Sequence, residues 1–192
     1  MMICYLSILK DIVLILTALA TAIVAIFGIT KWKSEFKGKT YFEVSFKFLK
    51  SVYKLRDSFS ALRANFISVN ELLPNGNDIK NYDYENTWFV INNRLKPFYE
   101  AYNEFNSILP EIEALFGKEF KDKSVQITHV IFRYQNNLNE YMQLYGKTNN
   151  LEHFTKLGNG VFMQSKDDEY KTELDKIISI IETEISKHIK MK

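Results

Sequence analysis

Nineteen consecutive residues without a charge, Ile12–Thr30, constrain this chain more than any other feature. At about 1.5 Å rise per residue, a helix over this stretch matches the hydrocarbon thickness of a bilayer, roughly 30 Å. In a hydrocarbon interior every backbone polar group must be satisfied within the segment, so a helix is the only single-segment solution. The flanks predict its orientation. Lys10 and Asp11 cancel on one side. On the other, Lys31, Lys33, Lys37 and Lys39 stand against Glu35 alone. The positive-inside rule places that basic side in the cytoplasm and the N-terminus outside. Trp32 suits the interfacial aromatic belt, and Tyr5 suits the other face. Lys31, Trp32, Lys33, Lys37 and Lys39 are therefore the expected membrane-interface residues.

Two other readings of the segment stay open at this point. Ala18-Leu-Ala20 and Ala20-Thr-Ala22 have the small-residue spacing of a signal-peptide cleavage site, although the apolar run continues to Ile29 and no basic region precedes it. A buried core helix would have to be apolar on every face. Small residues recur at helical spacing at Thr17, Thr21 and Ala25, with Ala18, Ala22 and Gly28 nearby. Such a pattern permits close helix packing in lipid, but it is also common composition for a span.

The formal net charge of +2 hides an asymmetry. Residues 31–56 carry eight basic side chains against two acidic ones, a local +6, which leaves −4 for residues 57–192. A basic block beside a span is attracted to anionic headgroups by about 1 kcal/mol per lysine. Nucleic acid is disfavoured as a partner because neither a stacking platform nor a known nucleic-acid motif accompanies the lysines. The single cysteine, Cys4, excludes a disulfide framework within one chain and fits a reducing compartment for the body.

Beyond the span the apolar period is helical. Gly38 followed by Thr40-x-x-Glu43 has the form of a helix break and a capping box. From there Phe48, Val52, Leu55, Phe59, Leu62 and Phe66 recur at fours and threes. Pro74-Asn-Gly-Asn77 marks a long loop over 65–82. A helix starting near Asp83 or Tyr84 carries the stripe Trp88, Ile91, Leu95, Phe98, Tyr102, Phe105 and Leu109, with a bend near Asn93–Lys96 forced by Pro97. Pro110 opens a short helix that Gly117 closes. A further helix over 123–145 carries Ile127, Ile131, Tyr134, Leu138, Tyr141 and Tyr145 and stops at Gly146. Residues 147–166, with Asn149-Asn150 and Gly158-Asn-Gly160, read as a loop whose Leu151, Phe154, Leu157, Val161 and Phe162 pack on the body. The last helix begins at Asp167-Asp168, carries Tyr170, Leu174, Ile177, Ile181 and Ile185, and ends with Lys187, His188 and Lys190, cations at the favourable end. The expected architecture is all-α: a membrane anchor over 1–36, then an antiparallel four-helix bundle over 37–192.

Catalytic signatures are missing from the sequence. His129, His153 and His188 lie in no metal-ligand spacing, and His129 reads as a partly buried packing residue. There is no phosphate-binding glycine loop and no nucleophile elbow. Glu111, Glu113, Glu182 and Glu184 lack the Glu-x-x-His pairing of a di-iron bundle. We therefore expect no catalytic, cofactor or metal residues. Aromatic residues make up 15% of the chain. Trp88, Phe89, Phe98, Tyr99, Tyr102 and Phe105 exceed what one narrow stripe buries, so a core role competes with a partner surface. Lys47, Lys50, Lys54, Trp88 and Tyr99 form the expected partner or anionic-ligand surface.

Several stretches carry a family likeness. These are Lys31-Trp32-Lys33, Gly38-Lys39, Glu43, residues 52–57, Arg94-Leu95, Tyr102, Glu104-Phe105, residues 112–117 and Asp167-Asp168-Glu169. Together they resemble a group of bacterial single-span membrane-anchored helical proteins of unknown function. The resemblance implies one span in the bacterial inner membrane and a cytoplasmic helical domain. It also implies a setting in defence or stress systems, and it brings no activity. The leading expectation is a membrane-anchored, non-enzymatic interaction module that binds a protein partner or a second copy of itself. A membrane-perturbing, pore-forming effector and a nucleotide- or nucleic-acid-sensing module using Lys47, Lys50 and Lys54 are the alternatives.

Overall fold

The computed structural model describes residues 2–65, 71, 84–162 and 168–190. Five helices and no strand occur among them: α1 (Met2–Leu62), α2 (Tyr84–Phe116), α3 (Lys118–Leu144), α4 (Leu151–Val161) and α5 (Glu169–Lys190). The chain divides into two compact units, 1–43 and 44–191.

The first unit is helical throughout its described residues. From Ile12 to Ile29 every large apolar side chain is exposed, between 48% and 70%, which does not fit a core helix. The hydroxyls within it are satisfied locally: Thr17 donates to the Val13 carbonyl and Thr21 to the Thr17 carbonyl, each at 2.8 Å. The break expected at Gly38 does not occur, and α1 runs through it. An interior glycine costs a helix only about 1 kcal/mol relative to alanine. Thr40, instead of capping a new helix, donates its hydroxyl to the Phe36 carbonyl at 3.0 Å. Lys31–Glu35 and Lys39–Glu43 pair one turn apart along the same helix.

The second unit is built around apolar stripes. Phe48, Val52, Leu55, Phe59 and Leu62 of α1 are all buried, as the spacing predicted; Phe66 lies outside the described residues. On α2 the buried line is Ile91, Phe98, Ala101, Phe105, Ile108 and Ile112. The expected line was rotated from this one: Leu95 and Tyr102 are only partly buried and Trp88 is 38% exposed. Pro110 does not open a helix. Both Pro97 and Pro110 sit inside α2, which ends at Phe116 before Gly117 at φ 87°. Each proline removes one backbone donor, and the buried Phe98, Ile108, Leu109 and Ile112 beside them favour continuing the helix. α3 begins at Lys118 rather than near Lys123, and Gly146 at φ 69° follows its end.

Residues 147–166 correct the sequence reading most. They contain α4, capped by the Asn150 side chain, which accepts from the His153 backbone N–H at 3.1 Å. The two glycines that suggested a loop are helical. At Gly158 the reason is space. An added Cβ would sit 3.1 Å from Cε2 of Tyr141, and that ring is stacked on Phe154 at 4.6 Å and edge-on to Phe162 at 5.3 Å. Val161 is fully buried and Phe154, Leu157 and Phe162 pack on the core, while Leu151 is exposed.

Polar pairs mark where the helices meet. Lys47 pairs with Glu111 at 3.0 Å and Lys54 with Glu104 at 2.6 Å, joining α1 to α2. Tyr53 donates to Glu182 of α5 at 2.6 Å, and Asn137 of α3 donates to Tyr170 of α5 at 2.6 Å. Arg133 of α3 pairs with Glu173 of α5, and Lys121 of α3 with Glu113 of α2. The buried hydroxyls of Ser51 and Ser124 return to the Phe48 and Phe120 carbonyls of their own helices, so both are buried without orphaned donors.

The two glycines of α4 give opposite expectations. Gly158→Ala should lower the unfolding midpoint, because the Tyr141 ring is packed against Tyr145, Phe154 and Phe162 and has little room to give. Gly160→Ala meets nothing within 4 Å and should gain about 0.4–1 kcal/mol through the unfolded state. Chemical denaturation of the two variants checks both signs, and a gain in Gly158→Ala would refute the packing argument.

Candidate functional site

The most unusual side chain of the second unit is Arg63, at the C-terminal end of α1. It lies four residues after Phe59 and so continues the buried edge of the α1 stripe. It is 2% exposed, although arginine is almost never fully buried unless paired. Its Nη2 donates to Oδ1 of Asp168 at 2.8 Å and to the Gly160 carbonyl at 2.9 Å. Its guanidinium lies 5.1 Å from the Phe59 ring centroid, 5.7 Å from Tyr134 and 4.9 Å from Tyr170. The rings support one another edge-on, with Phe59–Tyr134 at 4.9 Å and Tyr134–Tyr170 at 5.7 Å.

Each element supplies its part for a local reason. α1 presents Phe59 and Arg63 one turn apart. α4 ends near Gly160, whose carbonyl lies in the last, unpaired turn of that helix. Asp168 caps α5: its Oδ1 accepts from the Lys171 backbone N–H at 3.1 Å, and its own carbonyl accepts from Thr172 at 3.0 Å. One carboxylate oxygen thus serves both a helix cap and a buried ion pair. Among the described residues, two buried side-chain polar atoms have no hydrogen-bond partner, Nε of Arg63 and Oδ2 of Asp168.

Burial pushes the Tyr134 hydroxyl far above the ordinary tyrosine range, with Arg63 opposing it. Burial also raises Tyr170, against the pull of Arg133, Arg63 and the hydrogen bond from Asn137. Tyr53 is raised chiefly because it donates to Glu182.

Two cavities flank the pair. One of about 390 Å³ touches Asp168, Gly160, Tyr170, Asn137 and His153. The other, about 250 Å³, touches Arg63 and Phe59 from the α1 side. A wider groove of about 820 Å³ lies along α1 and α2 and has largely apolar walls, including Phe46, Leu49, Tyr53 and Pro97.

The expected site residues are scattered relative to this centre. Lys50 and Lys54 line the groove. Lys47 and Lys54 are paired with glutamates of α2, which removes much of the charge expected for an anionic ligand; Lys54 holds the Glu104 carboxyl below the usual range. Trp88 and Tyr99 are 38% and 44% exposed, and Tyr99 accepts from Gln135 at 3.4 Å. Phe98 and Phe105 are fully buried, so the six aromatics divide between core and surface. Lys31, Trp32, Lys33, Lys37 and Lys39 are exposed in the first unit, where Trp32 stacks on Phe36 at 5.7 Å. His129 is exposed rather than partly buried, and His153 contacts Glu140 at 2.8 Å. Arg63 was missed by the sequence reading. Its signal was an arginine at stripe spacing from Phe59, and Asp168 was read only as a helix-start acid. Comparison with known proteins gives no match to any family model, any curated protein or any solved structure.

Removing one partner of a buried ion pair costs about 3–5 kcal/mol, since it strands the other charge. Asp168→Asn keeps a good N-cap, so it isolates the charge from the cap. We expect it to lower unfolding stability by about that amount, and a loss under about 1 kcal/mol, measured by denaturant titration, would remove Arg63–Asp168 from the stabilising core. The raised tyrosines stabilise the fold fully below pH 10 and progressively less as the pH rises above it, because the unfolded chain then releases protons that the folded chain holds. Stability should fall above about pH 10, and Tyr134→Phe should make that fall shallower; an unchanged alkaline limb would contradict the assignment.

Proposed function

We propose that this protein is a membrane-anchored, non-enzymatic interaction module. The observation that carries this reading is the exposed, charge-free helical stretch Ile12–Ile29, which is long and apolar enough to cross a bilayer. A signal sequence has the same length and apolarity, so persistence of the segment in the mature protein is part of the test. The lysines Lys31, Lys33, Lys37 and Lys39 after the span support an N-terminus outside and a cytoplasmic body at a bacterial inner membrane. The resemblance to anchored bacterial proteins supports a setting in defence or stress responses.

The body fits an antiparallel four-helix bundle of α1, α2, α3 and α5, with α4 as an added short helix. Pair order supports this. Along α1, Lys47 and Lys54 meet Glu111 and Glu104 of α2 in descending order, and Arg133 and Asn137 of α3 meet Glu173 and Tyr170 of α5 likewise. Exposed Trp88, Phe89, Tyr99 and Phe132 support an interaction role, with a protein partner or a second copy of the chain as the occupant.

The tether reading is favoured over a pore. The span carries no charge, and the Thr17 and Thr21 hydroxyls are satisfied within their own helix, which leaves little to line water. The neutralised Lys47 and Lys54 weigh against nucleic-acid sensing.

Full-length protein should stay with carbonate-washed membranes, and a chain lacking residues 1–30 should be released. Cys4, the single cysteine, should react with an impermeant maleimide from outside intact spheroplasts. Release of the full-length protein, or a mature chain without Cys4, would overturn the anchor.

A further inference from the structure

We propose that the outer face shared by α2 and α3 is the surface on which a second copy of this chain docks. This rests on the interaction reading above and names its occupant. Two contacts hold the helices side by side: Tyr99 accepts from Gln135 at 3.4 Å, and Glu113 pairs with Lys121. Glu113 lies fourteen residues after Tyr99, and Lys121 fourteen before Gln135, so the helices stay in step between these contacts. That register sets Phe132 level with Tyr102. Spacings of three and four put Tyr99, Tyr102 and Asn106 on the α3 side of α2, and Phe132, Gln135 and Asn139 on the α2 side of α3. Phe132 is 64% exposed and Tyr99 44%. Asn139 is exposed as well.

Charge sets this face apart. Charged residues make up 25% of the chain, and the exposed side of α5 carries Lys171, Asp175 and Lys176. On the α2–α3 face, Lys96 and Glu100 stand on one flank and Arg133 and Glu140 on the other. Between these flanks, among the described residues, the side chains are aromatic, amide, hydroxyl or aliphatic as far as the Glu113–Lys121 pair. An aromatic, charge-depleted centre inside a charged rim is the composition of an interface core. The same chemistry selects the occupant. A charged partner surface would lose its hydration here and gain no counter-charge. The partner must therefore be uncharged and must both donate and accept hydrogen bonds. Asn, Gln and Tyr side chains do both, so the face is complementary to itself, and a two-fold axis through it closes the contact. The face runs about 28 Å along α3 and about 20 Å across two packed helices, close to the ~600 Å² per partner at which specific interfaces begin.

The face is tested on the full-length protein in detergent by sedimentation equilibrium. A dimer is expected. Phe132→Lys and Asn139→Lys each place two like charges in a two-fold contact and should weaken the dimer about tenfold. Ser179→Lys adds the same charge at an exposed position of α5 and should leave the dimer unchanged. All three positions are exposed, and circular dichroism checks that each variant is folded. A monomeric wild-type chain overturns the proposal. So does a dimer of equal strength in Phe132→Lys and Asn139→Lys, which is the result expected if the spans alone associate. Equal weakening by Ser179→Lys overturns it too. The dimer is read in detergent and the anchor on washed membranes, so the two fail separately. Release from membranes with the dimer intact overturns the tether alone, and a retained chain without the dimer overturns this face alone.

Discussion

A guanidinium taken out of water is the constraint on which the helical body depends. Desolvating such a charge costs several kcal/mol and is offset only when a counter-charge, hydrogen bonds and close packing arrive together. Arg63 needs the end of α1, the end of α4, the cap of α5 and the Tyr134 ring of α3 in one place. Its satisfaction is therefore a condition on the arrangement of four helices rather than a property of one. Apolar stripes tolerate rotation by part of a turn, as α2 illustrates. A buried ion pair does not, because a shifted partner leaves an uncompensated charge. The pair thus acts as a register mark within an otherwise greasy core.

The same economy of charge explains the α1–α2 contact. The lysines of α1 looked in sequence like an open basic face. Glu104 and Glu111 of α2 meet two of them, so the positive surface there is much smaller than the composition suggested. Exposed lysines remain beside the span, at Lys31, Lys33, Lys37 and Lys39, where they suit lipid headgroups.

Periodicity was legible where a helix buries one clean face. Phe48 to Leu62, Ile127 to Tyr141 and Tyr170 to Ile185 all lie inside as their spacing predicted. It misled where punctuation residues were taken at face value. Gly38, Pro110, Gly158 and Gly160 all sit within helices. A glycine or proline lowers helix stability by a few kcal/mol at most, and a contiguous apolar surface on either side can outweigh that. At Gly158 the missing side chain is itself required by the Tyr141 ring.

The sequence by itself determined the local features: an uncharged stretch of bilayer length, a basic block after it, an all-helical body, and most of the core stripes. These follow from composition and spacing over one or two helical turns. Only the tertiary structure decided that Arg63 is the buried centre, that Asp168 is both cap and counter-ion, that Gly158 and Gly160 belong to a helix, and that the α1 lysines are largely answered by α2. Each of these depends on residues 50 to 105 positions apart, or on a ring filling the space beside a glycine. Short-range pattern carries no record of such meetings, because the desolvation and packing energies that select them exist only once the helices have come together.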